Sequence, residues 1–140
     1  MIEVNYLIVA ACVALSMVAG FVWYGPLFGK QWMRLNGVNP DDEMAVKNMQ
    51  KDMWIPMVIQ IVSTFFLVWV LFIYLKAAAD EMSEMSNALW IYAGFVVPTL
   101  ISTVIWTSAS HKDQCTRFAI QAGYNLVMFV AFGYIITTWG

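Results

Sequence analysis

This sequence contains few charged residues. Only 11% of its 140 residues are charged, whereas 61% are hydrophobic. Soluble globular proteins contain about 25% charged and 45–50% apolar residues. A chain of this length cannot bury so much apolar surface in a core of its own. The composition therefore excludes a water-soluble domain and indicates an integral membrane protein.

The chain also lacks a basic excess and clusters of metal-binding residues. Seven Lys and Arg stand against nine Asp and Glu, which excludes the electrostatic footprint of a nucleic-acid-binding protein. Cys12 and Cys115 lie in different segments, so no disulfide framework organises the fold. With one histidine, the chain has no pair of axial haem ligands and too few zinc ligands. We therefore predict no catalytic residue, metal site or cofactor.

Long uncharged stretches are the dominant positive feature. A bilayer core about 30 Å thick requires roughly 20 apolar residues in a helix. Backbone amides in hydrocarbon must be paired within the segment, which makes each such stretch a helix. The sequence predicts an all-α, four-helix membrane bundle, one domain over residues 1–140, with spans at about 4–25, 53–75, 87–110 and 117–139.

The basic residues predict the orientation of these spans. Six of the seven lie in the first and third connections, and only Lys76 lies in the second. Short cytoplasmic loops carry an excess of Lys and Arg. The expected topology therefore has both termini on the non-cytoplasmic side and a cytoplasmic helical connection at 26–52.

The first part of that connection has the pattern of an interfacial helix. Gly25-Pro26 is expected to end the first span, because proline disfavours helical geometry in the residue before it. An amphipathic helix then runs to Asn36-Gly37 on the inner leaflet. Its apolar face comprises Leu27, Phe28, Trp32 and Leu35. Three residues are candidate contacts for a lipid headgroup: Lys30, Trp32 and Arg34.

The second part of the connection contains a helix start. Asn39 is the expected cap and Pro40 the first helical residue, with acidic residues following at the positive end of the helix dipole. This helix is expected to continue into the second span, with a kink at Pro56.

Polar residues inside the spans are neutral. An ionisable side chain at the centre of a membrane helix is a functional hypothesis by default, and its absence disfavours a proton-coupled transporter. Amides and hydroxyls either join neighbouring helices or line a conducting seam. The candidate seam comprises Gln60, Ser63, Thr99, Ser102, Thr103, Gln121 and Asn125. Pro98 predicts either an ordinary kink or a hinge with a water-lined cavity.

Two further patterns concern packing and caps. Cys12, Ser16 and Gly20 form a stripe of small residues that allows a second helix to approach closely. Ser108, Ser110, His111 and Asp113 resemble a hydrolase set in composition, but they adjoin one span end. We interpret them as cap residues, with His111 at the end of the third helix and Asp113 or Thr116 capping the fourth.

The string Trp23-Tyr24-Gly25-Pro26-Leu27-Phe28-Gly29-Lys30-Gln31-Trp32 resembles the signature of the membrane proteins grouped as domain of unknown function 1761. Residues 119–125, Ala-Ile-Gln-Ala-Gly-Tyr-Asn, are similar to a second segment of that family. The resemblance covers nearly the whole chain. It implies four spans and a location in a bacterial-type cell (inner) membrane. It says nothing about activity.

Three functional hypotheses follow. The first is a non-enzymatic protein that works by helix association, as a homo-oligomer or as an accessory subunit of a membrane complex. The second is a channel or facilitator for a small solute through the neutral seam. The third is a protein that binds a lipid or a quinone at the inner leaflet. The expected partners are the lipid bilayer, a bound lipid and further membrane chains, and no nucleic acid.

Overall fold

A computed structural model describes residues 2–140, and every regular element within that range is helical. The elements are α1 (Tyr6–Val22) with a π-helical turn (Trp23–Leu27), α2 (Gly29–Leu35), α3 (Glu43–Lys51), α4 (Trp54–Ala77), α5 (Glu84–Ile91) with a second π-helical turn (Tyr92–Val96), α6 (Val97–Ile105) and α7 (His111–Trp139).

Four helical segments are long and apolar enough to cross a bilayer. They are Tyr6–Leu27, Trp54–Ala77, Glu84–Ile105 and His111–Trp139. Helix α7 contacts each of the other three spans, and α1 also packs along α4. This arrangement confirms the predicted all-α membrane bundle, with the amphipathic helix α2 between the first two spans.

The first span does not end at Gly25-Pro26 as expected. Pro26 lies inside the π-helical turn, where the N–H of Phe28 donates to the carbonyl of Trp23 at 2.9 Å. A proline ring clashes with the carbonyl four residues earlier in an α-helix, and a π turn relieves that contact by adding a residue. The span therefore continues to Leu27, and Gly29 begins α2.

The end of α2 is as predicted. Gly37 has a φ of +77°, and its N–H donates to the carbonyl of Arg34 at 3.1 Å. The N–H of Val38 donates to the carbonyl of Met33 at 2.9 Å. These two bonds form a Schellman motif, which favours glycine at the left-handed position.

The predicted cap of α3 is wrong. Asp42 caps the helix, since its Oδ1 accepts from the N–H groups of Met44 at 3.1 Å and Ala45 at 3.2 Å. Asn39 instead closes a turn around Pro40 by accepting from the N–H of Asp41 at 3.0 Å. The cap therefore lies three residues later than the Asn-Pro pattern indicated.

Helix α3 also does not continue into the second span. It ends at Lys51, and α4 begins at Trp54. Pro56 therefore falls in the first turn of a new helix. An N–H at that position has no intrahelical acceptor, so proline costs no hydrogen bond and no kink is needed there.

The corner before the last span differs from the prediction in the same way. The third span ends at Ile105, not at residue 110, and α7 begins at His111, not at residue 117. Ser110 is the cap, because its Oγ accepts from the N–H of Asp113 at 3.2 Å. The Nε2 of Gln114 donates to the carbonyl of Thr107 at 3.0 Å and so closes the corner. The assignment of His111 to the third helix and of the cap to Asp113 or Thr116 was wrong.

The buried core lies towards one end of the bundle. Its largest fully buried side chains are Phe72, Leu75, Ile136, Val9, Val68 and Cys12. We call the end that holds the connection at 78–83 the closed half. The other end, with α4 residues 54–63, α6 and α7 residues 111–125, is the open half, where α4 and α6 are mostly exposed.

Two hydrogen bonds and an ion pair stabilise the connection of the closed half. Asn87 is 6% exposed, and its Nδ2 donates to the carbonyls of Ala78 at 3.1 Å and Met82 at 3.2 Å. Lys76 Nζ lies 3.0 Å from Glu84 Oε1 across the same connection. The amide therefore supplies a donor to the carbonyl of Met82 where the chain reverses between α4 and α5. It also adds a third donor to the carbonyl of Ala78, which accepts from the N–H groups of Glu81 and Met82.

Asn87→Ala should destabilise the fold, because the carbonyl of Met82 loses its side-chain donor and the carbonyl of Ala78 keeps only its two backbone donors. We expect a decrease of about 1–3 kcal/mol in the free energy of unfolding, the range for an unsatisfied buried polar group. Unfolding in mixed micelles, followed by circular dichroism, measures the effect. Asn48→Ala, at an exposed position of α3, is the matched control. Equal stability of the two variants would contradict this role of Asn87.

Candidate functional site

The two segments singled out in the sequence meet in the open half. Aromatic rings from the end of the first span and from α2 pack against a ring of α7. The centroid of Trp23 lies 5.0 Å from that of Phe28, and the centroid of Tyr24 lies 5.5 Å from that of Tyr124. Trp32 meets Tyr24 edge to face at 4.9 Å. We call these five residues the aromatic elbow.

Polar atoms of the elbow bond to helix backbones. Trp23 Nε1 donates to the carbonyl of Ile120 at 3.0 Å, which joins the first span to α7. The hydroxyl of Tyr124 donates to the carbonyl of Ser16 at 2.6 Å in the opposite direction. An indole N–H or phenol O–H inside a membrane requires an acceptor, and each of these finds one on another helix.

Two glycines allow this approach, and a third does not take part. A Cβ at Gly123 would lie 3.0 Å from Cζ2 of Trp23, and a Cβ at Gly29 would lie 2.9 Å from the carbonyl oxygen of Tyr24. A Cβ at Gly25 would have no heavy atom within 4 Å. The elbow therefore requires glycine at positions 29 and 123 for space.

Arg117 anchors α2 to α7, a role that sequence reasoning missed. Its Nη2 donates to the carbonyl of Leu35 at 2.7 Å, and its Nη1 donates to Oδ1 of Asn36 at 3.3 Å. Its guanidinium carbon also lies 5.3 Å from the centre of the Trp32 ring. A cation at the carbonyl end of a helix and over an indole face is doubly favourable. No spacing in the sequence indicates a contact across 82 residues.

The candidate headgroup residues have different surroundings. Trp32 is half-buried between Tyr24 and Arg117, so it belongs to the elbow. Lys30 and Arg34 are exposed on α2. Both charges are therefore available to groups outside this chain.

The stripe of small residues faces the inside of the bundle. Cys12 and Ser16 are buried, and the Oγ of Ser16 donates to the carbonyl of Val13 at 2.8 Å. A Cβ at Gly20 would lie 3.5 Å from the hydroxyl of Tyr124, an ordinary contact. The stripe is thus used within one chain, and it is not available to a second copy.

The candidate seam residues lie in the open half but do not form one line. Five of the seven are exposed: Gln60, Ser63, Thr99, Ser102 and Thr103. The hydroxyls of the latter three donate to carbonyls of their own helical segment. Gln121 and Asn125 are half-buried on α7, and Oε1 of Gln121 has no partner among residues 2–140. The contacts in the structure do not join these residues into one seam, so the seam stays a prediction.

The hydroxyl and histidine group at the corner has a cap geometry. Ser110 caps α7, and Nδ1 of His111 lies 3.3 Å from Oε1 of Gln114. Among the described residues 2–140, no group of three or more His, Cys, Asp and Glu side chains is placed to hold a metal ion.

Two open clefts lie beside the helices. One, of about 360 Å³, runs between α2 and α7 and is lined by Phe28, Gln31, Cys115, Thr116, Ala119 and Ile120. The other, of about 450 Å³, is a groove between α1 and α4 that only apolar side chains line: Ala10, Val13, Ala14, Met17, Ile61, Val62 and Phe65. The first cleft adjoins the aromatic elbow through Phe28 and Ile120.

Alanine substitutions at Gly29 and Gly25 test whether glycine is needed at position 29 because a larger side chain has no space there. Gly29→Ala brings a Cβ against a backbone oxygen, so we expect a loss of about 1–3 kcal/mol in stability, as for overpacking. Gly25→Ala has open space and should be neutral or stabilise the helix by up to about 1 kcal/mol. Thermal unfolding in detergent compares the two variants. An equal loss for both would refute the requirement for space at Gly29.

The comparisons with known proteins agree with the resemblance seen in the sequence. Residues 7–137 match the family described as "Protein of unknown function (DUF1761)". No curated protein and no solved structure matches the chain significantly. The match takes in the second and third spans, nearly all of the first and fourth, and both segments of the aromatic elbow. The chain therefore belongs to the DUF1761 family of proteins.

Proposed function

We propose that this membrane protein works without an enzymatic reaction, by association with a second copy of itself through the open half of α4. The observation that carries the proposal is the exposure of that segment. Nine of the ten residues from 54 to 63 are exposed, on all sides of the helix. In the closed half the same helix buries Val68, Leu71, Phe72 and Leu75 against its neighbours.

Lipid chains are unfavourable neighbours for the open half of α4, because this segment contains the polar side chain of Gln60. The Nε2 of Gln60 donates to Oγ1 of Thr64 at 2.9 Å, and the carboxamide oxygen accepts nothing from residues 2–140. Hydrocarbon offers no donor to that oxygen. Polar side chains in membrane helices therefore favour contact with another helix.

A second copy is the partner that fits this chemistry. A carboxamide contains both a donor and an acceptor, so it is complementary to itself. A two-fold axis that passes beside Gln60 would place this residue of both copies face to face. The remaining side chains of the segment are large and apolar, among them Trp54, Ile55, Val58 and Ile59. They would pack around a central pair of amides.

The alternatives to a dimer are a small-solute channel, an accessory subunit and a lipid-binding protein. A small-solute channel requires the polar residues to face one path, whereas the exposed hydroxyls of α6 bond to their own helix. An accessory subunit would use the same α4 surface with a different partner. A lipid at the inner leaflet is compatible with a dimer and concerns another surface, α2 and α7.

The dimer predicts a specific effect of Gln60→Ala. Double-mutant couplings between polar side chains in membrane bundles average about 0.6 kcal/mol and reach about 1.7 kcal/mol, so we expect an association that is weaker by roughly 3-fold and at most by roughly 18-fold. Energy transfer between donor- and acceptor-labelled copies in liposomes, over a series of lipid-to-protein ratios, measures the dissociation constant.

Gln121→Ala is the matched control, because it removes the same group from α7 and should leave association unchanged. A wild-type chain that stays monomeric over the whole series would refute the dimer. Equal weakening by both substitutions would assign the effect to altered folding and would equally remove the role of Gln60.

We further propose that the protein lies in the cell (inner) membrane with both termini on the non-cytoplasmic side. The connections at 28–53 and 106–110 emerge from the open half, and the connection at 78–83 emerges from the closed half. Six of the seven basic residues belong to the open-half connections and the adjoining start of α7. The excess of basic residues on cytoplasmic loops supports this orientation.

Labelling of single cysteines tests the orientation. In a Cys12→Ala, Cys115→Ser background, a membrane-impermeant maleimide should modify Glu81→Cys in intact cells, because that residue lies in the closed-half connection. Asn48→Cys, exposed on α3, should react only after permeabilisation. The reverse pattern would invert the topology.

A further inference from the structure

We propose that the cleft between α2 and α7 binds one anionic phospholipid of the inner leaflet. One acyl chain would enter the apolar floor, and the phosphate would lie at the basic rim. Nothing in this proposal depends on a dimer, because the cleft lies on α2 and α7 and the proposed dimer surface lies on α4.

The floor of the cleft suits an acyl chain. We call the apolar lining residues Phe28, Ala119 and Ile120 its floor, and the volume of the cleft is about 360 Å³. Ligand sites of this type commonly range from about 300 to 1,000 Å³ and are mostly apolar. The floor is also rigid, since Phe28 packs on Trp23, whose indole is bonded to the carbonyl of Ile120.

Polar and basic groups lie towards the mouth. Gln31 and Thr116 line the cleft itself. Arg34 follows Gln31 by three residues on α2, and Lys112 precedes Thr116 by four residues on α7, so each lies on the same helix face as a lining residue. Both cations are exposed. Arg117 directly follows the lining residue Thr116, but we do not count it among the cations of the rim because its guanidinium bonds to the carbonyl of Leu35.

The charge at the mouth is positive. Arg34 and Lys112 are exposed beside the lining residues, Lys30 directly precedes the lining residue Gln31, and Asp113 on the first turn of α7 supplies one carboxylate. Such a rim is complementary to a phosphate, and juxtamembrane cations attract anionic lipids. Lys112 precedes Ile120 by eight residues, a rise of roughly 12 Å along the helix. That separation places the head and the first part of a chain of one lipid at opposite ends of the cleft.

Cys115 gives the cleft an internal reporter. It lines the cleft and is exposed, whereas the other cysteine, Cys12, is fully buried. A bound lipid should therefore shield one thiol of the protein from a water-soluble maleimide and leave the other unreactive throughout. The full chain in nanodiscs is the sample, with phosphatidylcholine alone or mixed with a minor fraction of phosphatidylglycerol.

We expect phosphatidylglycerol to slow the modification of Cys115 several-fold. The double variant Arg34→Gln, Lys112→Gln should lose this protection. The matched double variant Lys47→Gln, Lys51→Gln removes the same charge from α3, on the same side of the membrane, and should keep it. Equal loss in both variants, or equal rates in the two lipid mixtures, would overturn the site. Protection by inorganic phosphate without the anionic lipid would also overturn it, because the ligand would then need no acyl chain.

Native mass spectrometry supplies an independent measurement. The wild-type chain should retain one phosphatidylglycerol in preference to phosphatidylcholine. Ala119→Trp, which fills the floor of the cleft, should abolish that retention, and Ala11→Trp, at an exposed position of α1, should not. Retention by Ala119→Trp, or retention of a quinone in place of the phospholipid, would contradict the proposal.

Discussion

The packing of Trp23 against Gly123 is the contact on which the open half depends. A Cβ at position 123 would lie only 3.0 Å from the indole ring, and the indole N–H donates to the carbonyl of Ile120. This contact fixes the end of the first span beside α7. The position of α2 follows, because α2 begins two residues after the π-helical turn and is joined to α7 at its far end by Arg117. The cleft between α2 and α7 exists only because both ends of α2 are held in this way.

Hydrophobicity and charge were sufficient to predict the number of spans and the presence of α2. Bilayer thickness imposes a length that local sequence satisfies or does not, so long apolar runs are informative on their own. The ends of the helices were less predictable. Asn39 and Asp42 are equally good caps by type, and only the path of the chain decides between them. The same applies to Ser110, Asp113 and Thr116 at the start of α7.

The prolines show what local sequence leaves undecided. A proline inside a helical pattern predicts a break or a kink. Pro26 and Pro98 lie instead at or just after a π-helical turn, and Pro56 lies in the first turn of α4. The hydrogen bonds that join the first span to α7 in the elbow could not be predicted either, because their partners lie about a hundred positions apart. The similarity of both segments to one family indicated that each matters, but it did not indicate that they touch.

The uneven packing of the bundle connects these observations with function. The closed half buries large side chains, and Asn87 bonds to its short connection. The open half has glycine-dependent aromatic contacts in place of a core, and it exposes Gln60, Ser63 and the cations of α2. In a bilayer, exposed amides favour protein neighbours and exposed cations favour anionic headgroups. One half of the molecule therefore supplies the stability, and the other supplies surfaces of two different chemistries at the same membrane face.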